Sequence, residues 1–179
     1  MEKILYKEEQ RFDQLWLKVP LYLLAIGNIL LFGHGIYKQL ILGEPWGDNP
    51  MSDTWLVVIT CFSLAIWAGI VFLFEKSKLF THIYQKEIRL RFPPFFSKEK
   101  IITLDTVKSL EVRKYNPIME FGGWGVRYGL KGKAYNVKGN MGLQLYFKDG
   151  KRLLIGTQKP EQVRWAINKM LSEGENKDG

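Results

Sequence analysis

Few side chains in these 179 residues are suited to bond-making chemistry. There is a single cysteine, Cys61, so no intramolecular disulfide and no multi-thiolate zinc site can form. The two histidines, His34 and His82, lie 48 residues apart and do not make a metal-ligating pair. Cys61 sits in an apolar run with no base beside it. His82 has Glu87 nearby, a pattern more typical of a surface pair than of a catalytic dyad. No HExxH, GxSxG or GxxxxGK[ST] pattern occurs, so neither metalloprotease, hydrolase nor nucleotide-hydrolysing chemistry is indicated. The expectation is a protein that is not an enzyme and needs no cofactor.

Binding chemistry is better represented. From Phe121 to Lys148 there is no Asp or Glu, while Arg127, Lys131, Lys133, Lys138 and Lys148 fall in the same window. Glycine-rich backbone carrying cationic side chains suits anions. Trp124, set among glycines in GGWGVRYG, reads either as a packing plug or as an exposed anchor. Trp124, Arg127, Lys131, Lys133 and Lys138 are therefore the expected lipid-binding or partner-binding residues. Asn136 and Asn140, close to glycines, read as turn residues. The chain carries a net charge of +8, and residues 76–179 hold 21 Lys plus Arg against 10 acids. Such a basic half is matched by an anionic membrane surface, an acidic partner or plain solvation. Nucleic acid is not an expected partner, because no RNA-binding signature accompanies the charge.

Two uncharged runs precede this half. Val19–Tyr37 is 19 residues between Lys18 and Lys38, and Thr54–Phe74 is 21 residues between Asp53 and Glu75. A helix rises about 1.5 Å per residue, so about 20 residues cross a hydrocarbon core of about 30 Å. Transmembrane helices are expected over 19–37 and 54–75, joined by an external loop, 38–53. Trp16, Tyr22, Tyr37, Trp46 and Trp55 flank the runs as interfacial aromatics do. Lys3, Lys7, Arg11 and Lys18 precede the first run, and Lys76, Lys78, Lys86, Arg89 and Arg91 follow the second. The loop has only Lys38 against Glu44, Asp48 and Asp53. The positive-inside rule then puts both termini in the cytoplasm of a multi-pass inner-membrane protein. Within the runs, Gly27, Asn28, His34, Ala65 and Gly69 are the expected packing residues, small or polar groups at helix contacts of a hairpin or oligomer. His34 alone, with no intramembrane carboxylate, gives little support to a proton path. Segment 1–18, with Ile4, Leu5, Phe12, Leu15 and Trp16 among charged residues, reads as an interfacial amphipathic helix.

Residues 76–171 read as a small β domain closed by a helix. Ile88, Leu90 and Phe92 alternate with Arg89 and Arg91 over 87–92, and 78–84 is strand-like. The prolines of FPPFF at 92–96 mark an edge or turn. Further strands fit 101–104, 107–115, 125–128, 133–137 and 142–147, and Asp149-Gly150 signals a hairpin. Pro160 and Glu161 suit a helix start, and Val163, Ala166, Ile167, Met170 and Leu171 make one apolar face. The tail, 172–179, is polar and reads as disordered.

Two spans, about seven strands and a C-terminal helix resemble an uncharacterised bacterial family of membrane proteins with a pleckstrin-homology-like domain. The stretch GGWGVRYGLKGKAYNVKGNMGLQLYFKDGKRLLIGTQKPEQ, from Gly122 to Gln162, carries the resemblance, with KEEQRF at 7–12 and RFPPF at 91–95. It implies an α+β membrane protein: a two-helix transmembrane hairpin followed by a small pleckstrin-homology-like β-barrel or sandwich. It brings no catalytic residue and no defined phosphoinositide motif. Such domains bind lipid head groups, peptides or proteins. The expected function is a membrane-anchored binding or scaffold module docking on anionic lipid or a protein partner at the inner leaflet. The alternative is an accessory subunit of a transporter or envelope-assembly complex, acting through its helices, with a protein partner or a second copy.

Overall fold

The computed structural model describes residues 3–129 and 131–175. Two compact units divide them: residues 13–75, and residues up to Phe12 together with those from Lys76 onward.

The first unit is helical. Helix α1 spans Leu15–Ile36 and runs on as a π-helical turn, Tyr37–Ile41; α2 spans Asp53–Lys76. Both are long and apolar enough to cross a membrane. Only Gly35 in α1 and Leu56 and Thr60 in α2 are buried; one stripe of each helix is half-buried, and the rest of its surface is exposed and mostly apolar. Polar side chains stitch the pair at three levels. Lys18 Nζ and Tyr22 OH both donate to Glu75 Oε1 at 2.6 Å. Ser63 Oγ donates to Asn28 Oδ1 at 3.0 Å. At the other end Gln39 Nε2 donates to Asp53 Oδ1 at 2.7 Å. The connecting loop folds Trp46 against α1, where a Cβ on Gly35 would come within 2.6 Å of the indole. Gly35 thus serves close packing inside the hairpin.

The second unit is built of two sheets and two helices. Strands β1 (Ile4–Arg11), β2 (Lys78–Tyr84), β3 (Glu87–Phe92) and β4 (Phe96–Thr103) form an antiparallel sheet in that order. Strands β5 (Val107–Lys114), β6 (Gly125–Gly129), β7 (Gly132–Asn136), β8 (Met141–Phe147) and β9 (Arg152–Thr157) form the other, ordered β5-β8-β9-β7-β6. The short helix α3 (Pro117–Phe121) links β5 to β6, and α4 (Pro160–Glu175) follows β9. Alternation buries one face of β2 and β3, whereas β8 and β9 are buried on both faces over most of their length. Leu79 and Ile83 of β2 and Ile88, Leu90 and Phe92 of β3 are buried, as are Leu143, Leu145, Leu153 and Ile155 and, on α4, Val163, Ala166, Ile167 and Met170.

Three expectations require correction. Residues 1–18 do not form an amphipathic helix: β1 occupies Ile4–Arg11 and pairs antiparallel with β2, Arg11 opposite Lys78. Two β-branched or aromatic residues early in the run do not decide the outcome; cross-strand pairing with β2 does, which no local pattern encodes. The β domain expected over 76–171 is therefore incomplete without this strand, and the helical segment is inserted between two neighbouring strands. Nor is there a closed barrel. A 3₁₀ turn at Leu104–Thr106 ends the first sheet, β5 starts the second by pairing with β8, and β4 and β5 do not pair. Finally, α4 continues through the first residues of the tail expected to be disordered, to Glu175; the last four lie outside the described residues. Leu171, placed on its apolar face, is 45% exposed.

Candidate anion-binding surface

The glycines of 122–156 have a specific use. Gly129 leaves room for α3 on the outer face of the second sheet, while Gly132, Gly142 and Gly156 permit close approach between its own strands. A Cβ on Gly129 would stand 2.2 Å from Glu120 O, and one on Gly156 would stand 2.9 Å from Asn136 Cβ. Beneath lies a buried cluster of Tyr115, Phe121, Ala134 and Leu154. Helix α3 is fixed at both ends. Asn116 Oδ1 accepts from the N–H groups of Ile118 and Met119, and Gly122, left-handed at φ 71°, caps the other end. Asn136, expected in a turn, is instead fully buried on β7. It accepts Gly125 N–H at 2.9 Å and donates to Tyr115 OH at 3.0 Å. Burial pushes the Tyr115 phenol up to about 12.

The five residues expected to bind do not form one patch. In the β6–β7 hairpin Arg127 stands opposite Ala134 and Tyr128 opposite Lys133. Directly paired residues share a face and adjacent ones do not, so Arg127 and Lys133 project from opposite faces of the sheet. Arg127 lies on the α3 side, where its Nε donates to Trp124 O at 2.7 Å. Trp124 is half-buried, its indole N–H donating to Gly139 O at 3.1 Å, which ties the loop before β6 to the loop after β7. Lys138 is half-buried beside it and its carbonyl accepts from Gln158 Nε2 at 2.7 Å.

Lys131 belongs to a second group on the α3 side. Glu120 accepts from Arg113 Nη2 at 2.8 Å and pairs with Lys131 Nζ at 3.4 Å. Burial opposes ionisation of Glu120, but Arg113, the Asn116 N–H and Lys131 outweigh it and hold the carboxyl at about 2. Arg113, Lys131, Gln144, Tyr146 and Arg152 line a recess of about 260 Å³ alongside.

Lys133 belongs to a third group, on the opposite face, with a residue that sequence reasoning did not single out. Its Nζ donates to Tyr128 OH and stands 4.4 Å from that ring's centroid and 5.3 Å from that of Tyr135. Lys100, from β4 of the other sheet, donates to Tyr135 OH at 2.8 Å and lies 4.0 Å from the Phe96 ring centroid. Lys100 carries a strand-face signal only once its register opposite Leu90 is known.

In the helical unit Asn28 lies at the helix–helix contact through Ser63. Gly27, His34, Ala65 and Gly69 are exposed, with open space around a Cβ at Gly27 and Gly69. Cys61 is also exposed, and His82 is half-buried among Lys7, Arg89 and Arg91, with burial and then Lys7 holding its imidazole below the ordinary range. Among the described residues no three His, Cys, Asp or Glu side chains group to hold a metal. The class that fold and site define is a mixed α+β chain with two long apolar helices and a basic two-sheet unit. Comparison with protein-family models gives no match, and comparison with curated proteins finds no relative.

Proposed function

We propose that this chain is a bacterial inner-membrane protein whose two helices span the bilayer as a hairpin and carry a cytosolic, pleckstrin-homology-like binding module. The module docks on anionic lipid or an acidic protein partner at the inner leaflet and performs no chemistry of its own. One observation carries the reading: two helices of 22 and 24 residues are apolar around nearly their whole circumference. Left in water, that surface would cost about 25 cal/mol per Å². Connectivity supports two crossings. The chain leaves the four-stranded sheet after Arg11 and returns at Lys78, its register partner. An even number of crossings brings it back to the side it left. The N-terminal strand, being part of the same unit as residues 76–175, belongs on that same, cytosolic side with the basic flanks.

Arg127 and Lys138, with Trp124, and separately Lys131 are the contacts assigned to an acidic surface, each basic group contributing about 1 kcal/mol near an anionic leaflet. The alternative, action through Gly27, Asn28, His34, Ala65 and Gly69 within a larger complex, is the weaker reading, because Asn28 already spends its side chain on Ser63 within the hairpin. The test of the membrane reading is fractionation. Full-length chain should stay in the membrane pellet after an alkaline carbonate wash and leave it with detergent, and reporters at both ends should be active only in the cytoplasm. Recovery as a dissolved monomer without detergent would end the proposal.

A further inference from the structure

Lys100 and Lys133 come from different sheets, yet both ammonium groups stand about 5 Å from the centroid of the Tyr135 ring. They sit on the side where β4 faces the β6–β7 hairpin, with Phe96, Tyr128 and Tyr135 as walls. Among the described residues their polar partners are phenol oxygens, Tyr135 for Lys100 and both Tyr128 and Tyr135 for Lys133. Among the described residues no carboxylate pairs with either. Some basic side chains of the unit are neutralised, Arg89 by Glu87, Arg113 and Lys131 by Glu120, and Lys151 by Asp149. What distinguishes Lys100 and Lys133 is that both converge on the ring of one buried tyrosine.

Two like charges gathered around one ring without a counter-ion repel one another. A dianion between them would remove that penalty. Its charge matches the pair, and each ammonium keeps at least one further donor after its phenol bonds. A cation is excluded by the same charges, despite the aromatic walls. A monocarboxylate would neutralise only one lysine. The chemistry that fits is a phosphate monoester or inorganic phosphate.

We infer that Lys100 and Lys133, framed by Tyr128, Tyr135 and Phe96, form a phosphate-binding site at the junction of the two sheets. The inference deepens the anion-docking part of the proposed function and rests on it only in the choice of source, since the phosphate can be free or borne by a lipid headgroup.

The test uses the full chain in neutral detergent, titrated with inorganic phosphate by calorimetry. Saturable binding is expected, weakened at least about tenfold in Lys100→Gln and in Lys133→Gln, as loss of a charge-assisted bond requires. Lys148→Gln should bind as the parent does, and Lys100→Arg with Lys133→Arg should restore binding, which separates recognition from folding. The source is read in nanodiscs. Phosphatidate should block the phosphate titration more than phosphatidylglycerol at equal charge if a lipid headgroup occupies the site, and equally if the phosphate is soluble. Absence of saturable binding, or glutamine variants that bind like the parent, would overturn the site. Such a failure leaves vesicle attraction through Arg127, Lys131 and Lys138 standing, because that is measured separately by sedimentation.

Discussion

Glu8 Oε2 accepts the Thr157 hydroxyl at 2.9 Å, across 149 positions of sequence. The bond joins the strand before the helices to the last strand before α4. The Glu8 carboxylate also accepts from Tyr6 OH at 2.7 Å, Gln10 Nε2 at 3.2 Å and the Gln158 N–H at 2.8 Å. Gln10 in turn donates to Gly156 O at 2.6 Å. Tyr6, Glu8 and Gln10 are the buried face of β1, so the two sheets are bonded to each other through polar side chains. Burial, together with this acidic neighbour, pushes the Tyr6 phenol well above its ordinary range.

Replacing Glu8 with Ala would strand several buried donors at once. Each costs roughly 1–3 kcal/mol when left unpaired, so a loss of about 3 kcal/mol is expected, and less for Glu8→Gln, which keeps one acceptor. Chemical denaturation of the detergent-solubilised full chain measures it. A Glu8→Ala protein as stable as the parent would show that β1 is not bonded into the unit.

That strand also shows where sequence reading stops. The apolar alternation of β3 and the long helices are periodic and local, so they can be read directly. In β1 the buried positions are Tyr6, Glu8 and Gln10, two of them polar, so the period of two is present but disguised as a charged, exposed segment. Its partner lies more than 65 residues away beyond the helices. The grouping of the expected binding residues is hidden for a related reason. Arg127 and Lys133 look like one cluster in sequence, but a hairpin register sends them to opposite faces. Lys133 instead meets Lys100, a pairing that depends on how two sheets pack. The glycines were legible as turn formers. The role of Gly129 in making room for α3 was not, since that depends on what lies above the sheet.

Gly129 tests that role. Its Cβ would meet backbone atoms of Glu120 and Phe121 at 2.2 and 3.0 Å, neighbours that cannot rotate away. Gly129→Ala should cost about 2–3 kcal/mol through overpacking. Gly150→Ala is the control. It meets nothing within 4 Å and suffers only its positive φ of 83°, a penalty of about 1 kcal/mol. Equal thermal shifts for the two would refute the close-packed α3.

Acid should loosen the same region. The Glu120 carboxyl is held at about 2, below its ordinary value of 4.5. A depressed carboxylate contributes stability that is fully present above the unfolded value and fades as pH falls through the folded one. The window is therefore between about pH 5 and pH 2, and the contribution is on the order of 2–3 kcal/mol. Glu120→Gln should flatten the pH dependence of thermal unfolding over that window and leave its slope unchanged near neutrality. A parental slope in Glu120→Gln would assign the acid limb to other carboxylates.

The module's attraction to membranes can be measured apart from its anchor. Arg11 and Lys78 are paired antiparallel neighbours, so a short turn can replace residues 13–75 and keep β1 in its sheet. A fragment starting at 76 lacks that strand and would expose the edge of β2, inviting aggregation. The joined chain should sediment with vesicles containing anionic lipid and not with phosphatidylcholine alone. Its binding should weaken steeply as salt rises from 50 to 300 mM, because screening lengths shorten below the reach of surface charges. Reversing Arg127, Lys131 and Lys138 to Glu removes three cations and adds three anions, and should lower the partition coefficient at least about a hundredfold at low salt. Binding that ignores salt, or survives the reversal, would mean that this basic face is only a solvated surface and that the module recognises something else.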